Sequence, residues 1–363
     1  MATTTHPLPS QQINTKRRLP LAAWLLILGV GVIVTGIADI AWGSVPIPVA
    51  EVFRLLVGKK TDSEIWSNIL FKIRIPKAVT ALLAGMALSV SGLQLQTLFR
   101  NPLAGPSVLG ITAGASLGVA TVMLASGQSA TLYAIQQSGI GQGWLLVGAA
   151  SGGAALVMLL ILAVSLRISD NIVLLIIGIM FSNITLSVVS IWQYFSQPEQ
   201  IRDYLLWTMG SLGSVTTDHL RILLPLTLLG VLGTFLLSKN LNGLLLGEQY
   251  ARSMGLPLLG TRIGIIVVTS VLVGLVTGFC GPIGFIGIAV PHLVRSLFNT
   301  TDHRWLIPGC CLMGALVLLV CDLISQWPGS AWVLPINAIT ALLGSPVVIW
   351  VILRRRNLRA HFH

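Results

Sequence analysis

The stretch GPIGFIGIAVPHLVR, residues 281–295, decides how the chain is read. Gly281, Gly284, Gly287, Pro282 and Pro291 punctuate an otherwise apolar run, and His292 and Arg295 close it. Glycine and proline weaken or interrupt the helical hydrogen-bond ladder. Inside a bilayer such breaks are tolerated only where protein or a water-filled cavity re-satisfies the freed backbone groups. A kinked packing helix is the plainer reading, and for one Gly-Pro pair alone it would be favoured.

Outward from this stretch the composition is that of a membrane protein. Of 363 residues, 54% are apolar and only 9% charged, against roughly 25% charged in soluble domains. A helical span needs about 20 mostly apolar residues. Ten candidate spans are legible, near 20–42, 75–98, 107–126, 144–166, 171–192, 220–238, 262–280, 283–298, 305–325 and 335–353. The expected fold is therefore all-α and polytopic, with one transmembrane domain over 20–354 between a polar tail at 1–19 and a basic tail at 355–363. The first apolar run follows Lys16, Arg17 and Arg18. It is too long for a signal-peptide core, and no convincing small-x-small cleavage site follows.

An even number of spans puts both termini on one side. Fourteen Lys and Arg but only the acids Asp170, Glu248 and Asp302 fall there, so this side carries the whole formal charge of +11. The positive-inside rule assigns it to the cytoplasm. No basic cluster is interleaved with aromatics, so a nucleic-acid partner is not expected. Cys280, Cys310, Cys311 and Cys321 lie in or beside spans without metal-ligand spacing, and read as small buried hydrophobes.

The two halves echo each other. At an offset of 189 residues, Leu83, Gly85, Gly92 and Pro102 align with Leu272, Gly274, Gly281 and Pro291, one copy running inward and the other outward. Inverted repeats of this kind are a recurring transporter design. Glycines four apart, such as Gly110, Gly114 and Gly118, are read as close packing within the bundle.

Catalytic chemistry is not legible. The histidines are scattered, and His292 is expected to bond backbone freed near Pro291. Gly58-Lys59-Lys60-Thr61 fails the phosphate-loop pattern, with Phe53 where a glycine is required. Asp39 and Asp322 approach the spans only near their outer ends, so no ion-coupling acid lies deep in the bundle. Energy is expected from a partner.

The loop from Leu244 to Leu258, LLLGEQYARSMGLPL, has Leu245, Tyr250 and Met254 as a partial apolar stripe, and Glu248 and Arg252 at i, i+4 spacing. Pattern alone fits a lipid-lying helix as well as a docking segment.

These motifs together closely resemble the FecCD-type permeases, the membrane subunits of ABC importers for iron-siderophores, haem and cobalamin. The resemblance spans about residues 70–353. It implies that Gly247, Glu248, Ala251, Arg252, Ser253, Met254 and Gly255 form the loop that docks into an ATPase subunit. It implies that the FRNPLA turn closes the cytoplasmic gate through Asn101, Pro102 and Leu103, and that Arg74 and Lys77 meet acids on a substrate-binding protein. Ser91, Gln94 and Gln96 are its pathway candidates. Two positions depart from the family pattern, Gln326 in place of an Arg and Val333-Leu334-Pro335-Ile336-Asn337 in place of an acidic, glycine-ended motif.

The resemblance implies two permease subunits, here expected to be non-identical, two ATPase copies and an extracytoplasmic binding protein, in the cytoplasmic (inner) membrane of a bacterium. No cofactor or metal is expected on this chain; ATP and Mg belong to the ATPase. Iron-siderophore is the expected cargo, with haem and cobalamin as rivals and a stand-alone secondary transporter as the competing class.

Overall fold

The computed structural model describes residues 19–43, 45, 47–57, 64–125, 142–168, 170–326 and 333–359. The expected N-terminal tail, apart from Leu19, and the Gly58–Thr61 loop lie outside them. All regular structure among the described residues is helical.

The crossing helices are α1 (Leu21–Ala41), α4 (Ile75–Leu98), α5 (Ile111–Ala120, extended by a π turn to Ala125), α6 (Gln142–Arg167), α7 (Asn171–Phe195), α9 (Thr217–Leu236), α12 (Leu258–Cys280), α13 (Ile286–Phe298), α14 (His303–Ser325) and α15 (Ile336–Arg359). Short helices α2 (Val49–Leu56), α3 (Glu64–Ile69), α8 (Pro198–Thr208), α10 (Ser238–Leu245) and α11 (Glu248–Ser253) join them. Seven of the crossing segments are long enough by themselves to span a membrane, and Ile111–Leu124, Ile286–Phe298 and Ile336–Trp350 are shorter apolar helices. Their places match the ten expected spans. The helix of α15 runs on past residue 354, so no helical break marks the basic tail expected from 355.

The decisive stretch folds as its breaks require. Gly281 ends α12 with φ +74°, residues 281–284 are non-helical, and Phe285 takes φ +65° before α13 begins. This break is why α13 is short.

Helix α4 is the axis of the bundle. In the apolar window of the helix containing it 83% of residues are buried, against 11% in α1. A helix apolar or small all round is a buried one, and α4 carries Ala78, Ala81, Ala84, Gly85, Ala87, Ser91 and Gly92 on its buried surface. At Gly92 the backbone of α13 passes so close that a Cβ would stand 1.7 Å from the Gly287 carbonyl oxygen. Only glycine fits there.

The packing partners repeat between the halves. Helix α4 packs on α14 and α12 on α6; α5 packs on α6 and α13 on α14; α5 packs on α7 and α13 on α15; α4 and α12 pack on each other. Each contact has its counterpart when the halves are exchanged, as an internal repeat requires.

Candidate functional site

The residues singled out by sequence collect at the two ends of α4. Its N-terminal end continues a helix that starts at Glu64 and carries a π turn over Leu70–Arg74. The wide turn places Arg74 inward, against the end of α1. Its Nη1 donates to the carbonyls of Ile40 (2.9 Å) and Ala41 (2.8 Å), and its Nη2 donates to that of Val45. These include the last carbonyls of α1, which have no partner inside their own helix. Arg74 thus caps α1 and is only 6% exposed.

Lys77, one turn on, pairs with Asp322 of α14 at 2.9 Å, with side chains 12% and 2% exposed. Gln326 donates from Nε2 to Asp322 Oδ2 (3.0 Å) and to Asp39 Oδ1 (3.4 Å). Arg74 and Lys77, expected to meet acids on a binding protein, are thus both engaged within the subunit. Gln326 likewise turns inward, beside the two acids, rather than leaving a gap in an outer rim.

Along the middle of α4, Ser91, Gln94 and Gln96 are all buried. Gln94 Nε2 donates to Thr234 Oγ1 of α9 at 2.8 Å. Gln96 Nε2 donates to the Ile288 carbonyl of α13 at 3.2 Å and its Oε1 accepts from Arg295 Nη1 at 2.6 Å. In this structure these amides join helices of one subunit. Gln96 also lines a cavity at the C-terminal end of α4. Ser91 Oγ and Gln94 Oε1 are buried without a hydrogen-bond partner.

The C-terminal end of α4 is built differently. Phe99 caps the helix, and Arg100 follows in the left-handed region with φ +48°. The chain then turns on Asn101, whose Oδ1 accepts from the Leu103 N–H at 2.9 Å, an Asx turn. The Pro102 carbonyl lies 2.7 Å from His292 Nε2. His292 therefore bonds backbone, as expected, and the carbonyl it reaches belongs to this turn. Asn101, Pro102 and Leu103 stand together, with Leu103 exposed.

A polar cluster flanks the turn. Asn242 of α10 donates from Nδ2 to Asp302 Oδ1 (2.7 Å), and its Oδ1 accepts from the His303 N–H (2.9 Å). His303 Nδ1 is 2.8 Å from the same amide oxygen and Nε2 is 2.8 Å from Thr97 Oγ1. Because an amide oxygen only accepts, Nδ1 must carry the hydrogen. Asp302 also accepts from the Arg304 N–H at 3.0 Å as the N-cap of α14. That backbone bond first, and then the Asn242 amide, hold its carboxyl below the usual carboxylate range.

Beside the turn lies the Gly247–Gly255 segment. Gly247 opens it with φ +116°, and α11 follows for six residues. Gly255, with φ +78°, closes it: the Gly255 N–H donates to the Arg252 carbonyl and the Leu256 N–H to that of Ala251, a Schellman ending. Ala251 is buried beneath, whereas Arg252, Ser253 and Met254 face out. Glu248 pairs with Arg262 of α12 at 3.2 Å, not with Arg252 as its spacing suggested. Tyr250 and Met254 stand 56% and 58% exposed, with Leu245 and Leu246 exposed nearby. A cavity of 850 Å³ opens between this segment and the end of α4, lined among others by Phe99, Arg100, Asp170, Gly247, Glu248 and Tyr250. A second, of 340 Å³, is lined by Gln96, Thr97, Arg100, Pro102, Arg295 and His303, with Leu245 and Thr301.

Among the described residues no group of three His, Cys, Asp or Glu side chains could hold a metal. Ten apolar segments around a buried axis, one of them broken by glycine and proline, define a polytopic membrane protein of the transporter class. Within it, this chain belongs to the FecCD transport family, whose model matches residues 31–354, and is an ABC importer permease. It is 35% identical over 313 residues to the hemin transport system permease protein HmuU of Yersinia pestis, covering 85% of this chain and 90% of that one. It is 38% identical over 286 residues to the vitamin B12 import system permease protein BtuC of Salmonella typhimurium, covering 78% and 83%. A solved structure described as an inward-facing conformation of a metal-chelate type ABC transporter superposes with a TM-score of 0.79 at 25% identity, over 92% of this chain and 99% of that one.

Proposed function

We propose that this permease imports a metal held in an organic chelate, an iron-siderophore, across the bacterial cytoplasmic membrane, powered by a separate ATPase. Two ATPase subunits would sit below a permease pair, with a non-identical partner permease and an extracytoplasmic binding protein completing the assembly. ATP and Mg would reside on the ATPase, and this chain would bind no cofactor.

The observation that carries the reading is that the Gly247–Gly255 segment shares one cavity with Phe99 and Arg100, the residues that lead from α4 into the Asn101–Leu103 turn. The segment offers what a docking surface needs: a short helix fixed at its base by Ala251 and Glu248–Arg262, with Tyr250 and Met254 exposed at its tip. An apolar tip of this kind, rimmed by Arg252 and Gln249, suits a protein cleft. The positive-inside charge count supports a cytoplasmic location for this end and for both termini, where ATP is available. The cargo assignment rests on the chemistry common to the relatives' names: haem, cobalamin and metal-chelate are all metals enclosed in organic ligands.

Co-expression with candidate ATPase and binding-protein subunits, followed by reconstitution into vesicles, tests this. ATP-dependent accumulation of a labelled ferric siderophore is expected. Accumulation of only haemin or only cobalamin would overturn the cargo assignment, and uptake that needs no ATPase would overturn the importer mechanism.

A further inference from the structure

Arg100 joins the gate turn to the coupling segment, yet no motif reading singled it out. Its backbone occupies φ +48° directly after the cap of α4. That is the position where helices commonly place glycine, because a side chain there is strained. Something must hold an arginine in it. From that backbone the side chain crosses to the neighbouring element, and its Nη2 donates to the Leu244 carbonyl at 2.9 Å. Leu244 is buried in the last turn of α10, immediately before the segment opens at Gly247. The same Nη2 stands 3.1 Å from where a Cβ on Gly247 would lie. Gly247 therefore satisfies two demands at once, its φ of +116° and the space the guanidinium occupies. Arg100 also lines both cavities at this end, so it is the wall between them.

We infer that Arg100 is a positioning residue that transmits movement of the Gly247–Gly255 segment to the Asn101–Leu103 turn. The inference rests on the importer reading above. The turn is gripped from two sides, by Arg100 to the base of the segment and by His292 to α13 through the Pro102 carbonyl. A displacement of α10 and Gly247 pulls directly on Arg100, one peptide bond from Asn101. Transmission of this sort needs a contiguous physical link with two arrangements. A guanidinium bonded to a backbone carbonyl supplies such a link, because its long side chain can re-form the bond at a neighbouring carbonyl.

The test exploits the strained backbone. Arg100→Gly removes the strut while supplying the residue best suited to φ +48°, so the fold is not penalised. In the assembled complex in vesicles, Arg100→Gly should bind the ATPase as wild type does and hydrolyse ATP at a similar rate. Cargo imported per ATP should fall by about tenfold, mid-range for coupling between sites. A spin label at Leu103 should lose its ATP-induced shift, whereas one at Tyr250 should keep it. Arg100→Lys, which can still reach a carbonyl with a cation, should restore part of the coupling. Wild-type import per ATP in Arg100→Gly, or an unchanged shift at Leu103, would overturn the inference. So would loss of ATPase binding, since Arg100 would then belong to the docking surface. A wild-type chain that binds no ATPase would sink the importer reading, and this one with it.

Discussion

The two ends of α4 use the same kinds of residue to opposite effect. At the N-terminal end Arg74, Lys77, Asp39, Asp322 and Gln326 bond one another or cap α1. At the C-terminal end Arg100 and His292 hold a turn, and two cavities open beside it. One end is clamped and the other is articulated. A subunit that opens and closes by rocking needs both, a rigid point to turn about and a jointed region to be pushed. Substitutions at the clamped end should therefore register mainly in stability, and those at the jointed end mainly in transport.

The largest expected effect is at Lys77. Lys77→Ala leaves Asp322 buried without its cation, which should cost about 3–5 kcal/mol of stability. Thermal unfolding in detergent measures it. Replacing both partners, Lys77→Met with Asp322→Leu, should recover most of the loss, since apolar pairs of similar volume are no worse than a buried ion pair. A single variant as stable as wild type would show that this end is not clamped.

Arg74 comes next. Arg74→Ala strips donors from the carbonyls of Ile40, Ala41 and Val45, a loss of about 1–3 kcal/mol for buried polar groups left unpaired. The sharper part of the prediction is what should not change. Because Arg74 is internal, the salt dependence of binding-protein association should match wild type. A docking rate that falls in Arg74→Ala at low salt, and recovers its wild-type ratio at high salt, would restore a rim role to this residue.

At the jointed end the order of effects reverses. Glu248 is about a third exposed in its pair with Arg262, and such pairs contribute about 0–1 kcal/mol. Glu248→Ala should leave the melting temperature nearly unmoved and yet abolish uptake, with weaker ATPase association, because it unseats the base of α11. Normal ATPase binding and uptake in this variant would remove the coupling role from the segment.

What was legible in the sequence follows the same division. Ten spans could be read because apolar length leaves a mark on every residue of a helix, and the break at 281–285 because Gly281 and Pro282 announce it. The segment at 247–255 was picked out by its resemblance to a family loop, since pattern alone fitted a lipid-lying helix equally; its two glycines stand at positive φ. The internal bonds of Arg74 and Arg100 were not legible, for one physical reason. Their partners are backbone carbonyls at Ile40, Ala41 and Leu244, and a carbonyl carries no residue identity for a motif to display. The left-handed backbone at Arg100 was equally hidden, since arginine does not advertise it. Glu248 could pair with Arg252 or Arg262 by charge alone, and only the fold chooses.

The smallest expected effect lies at Asp302, and it tests whether the jointed end is held by charge. Its carboxyl is kept below the usual range chiefly by the Arg304 N–H and then by the Asn242 amide. A group whose folded value is depressed stabilises the fold above its unfolded value, and that contribution fades as pH falls through the folded one. The loss should therefore begin near the ordinary carboxylate value, about pH 4, and continue below it. Asp302→Asn keeps a good N-cap but cannot titrate. Wild type should be slightly the more stable at neutral pH, and the two should converge as the solution is acidified. The difference should be small and should shrink with added salt, because Asp302 is only partly shielded from solvent. A difference that stays constant from neutral to acid pH would mean that the cap holds α14 by geometry alone. The His303–Asn242 contact would then owe nothing to the charge beside it.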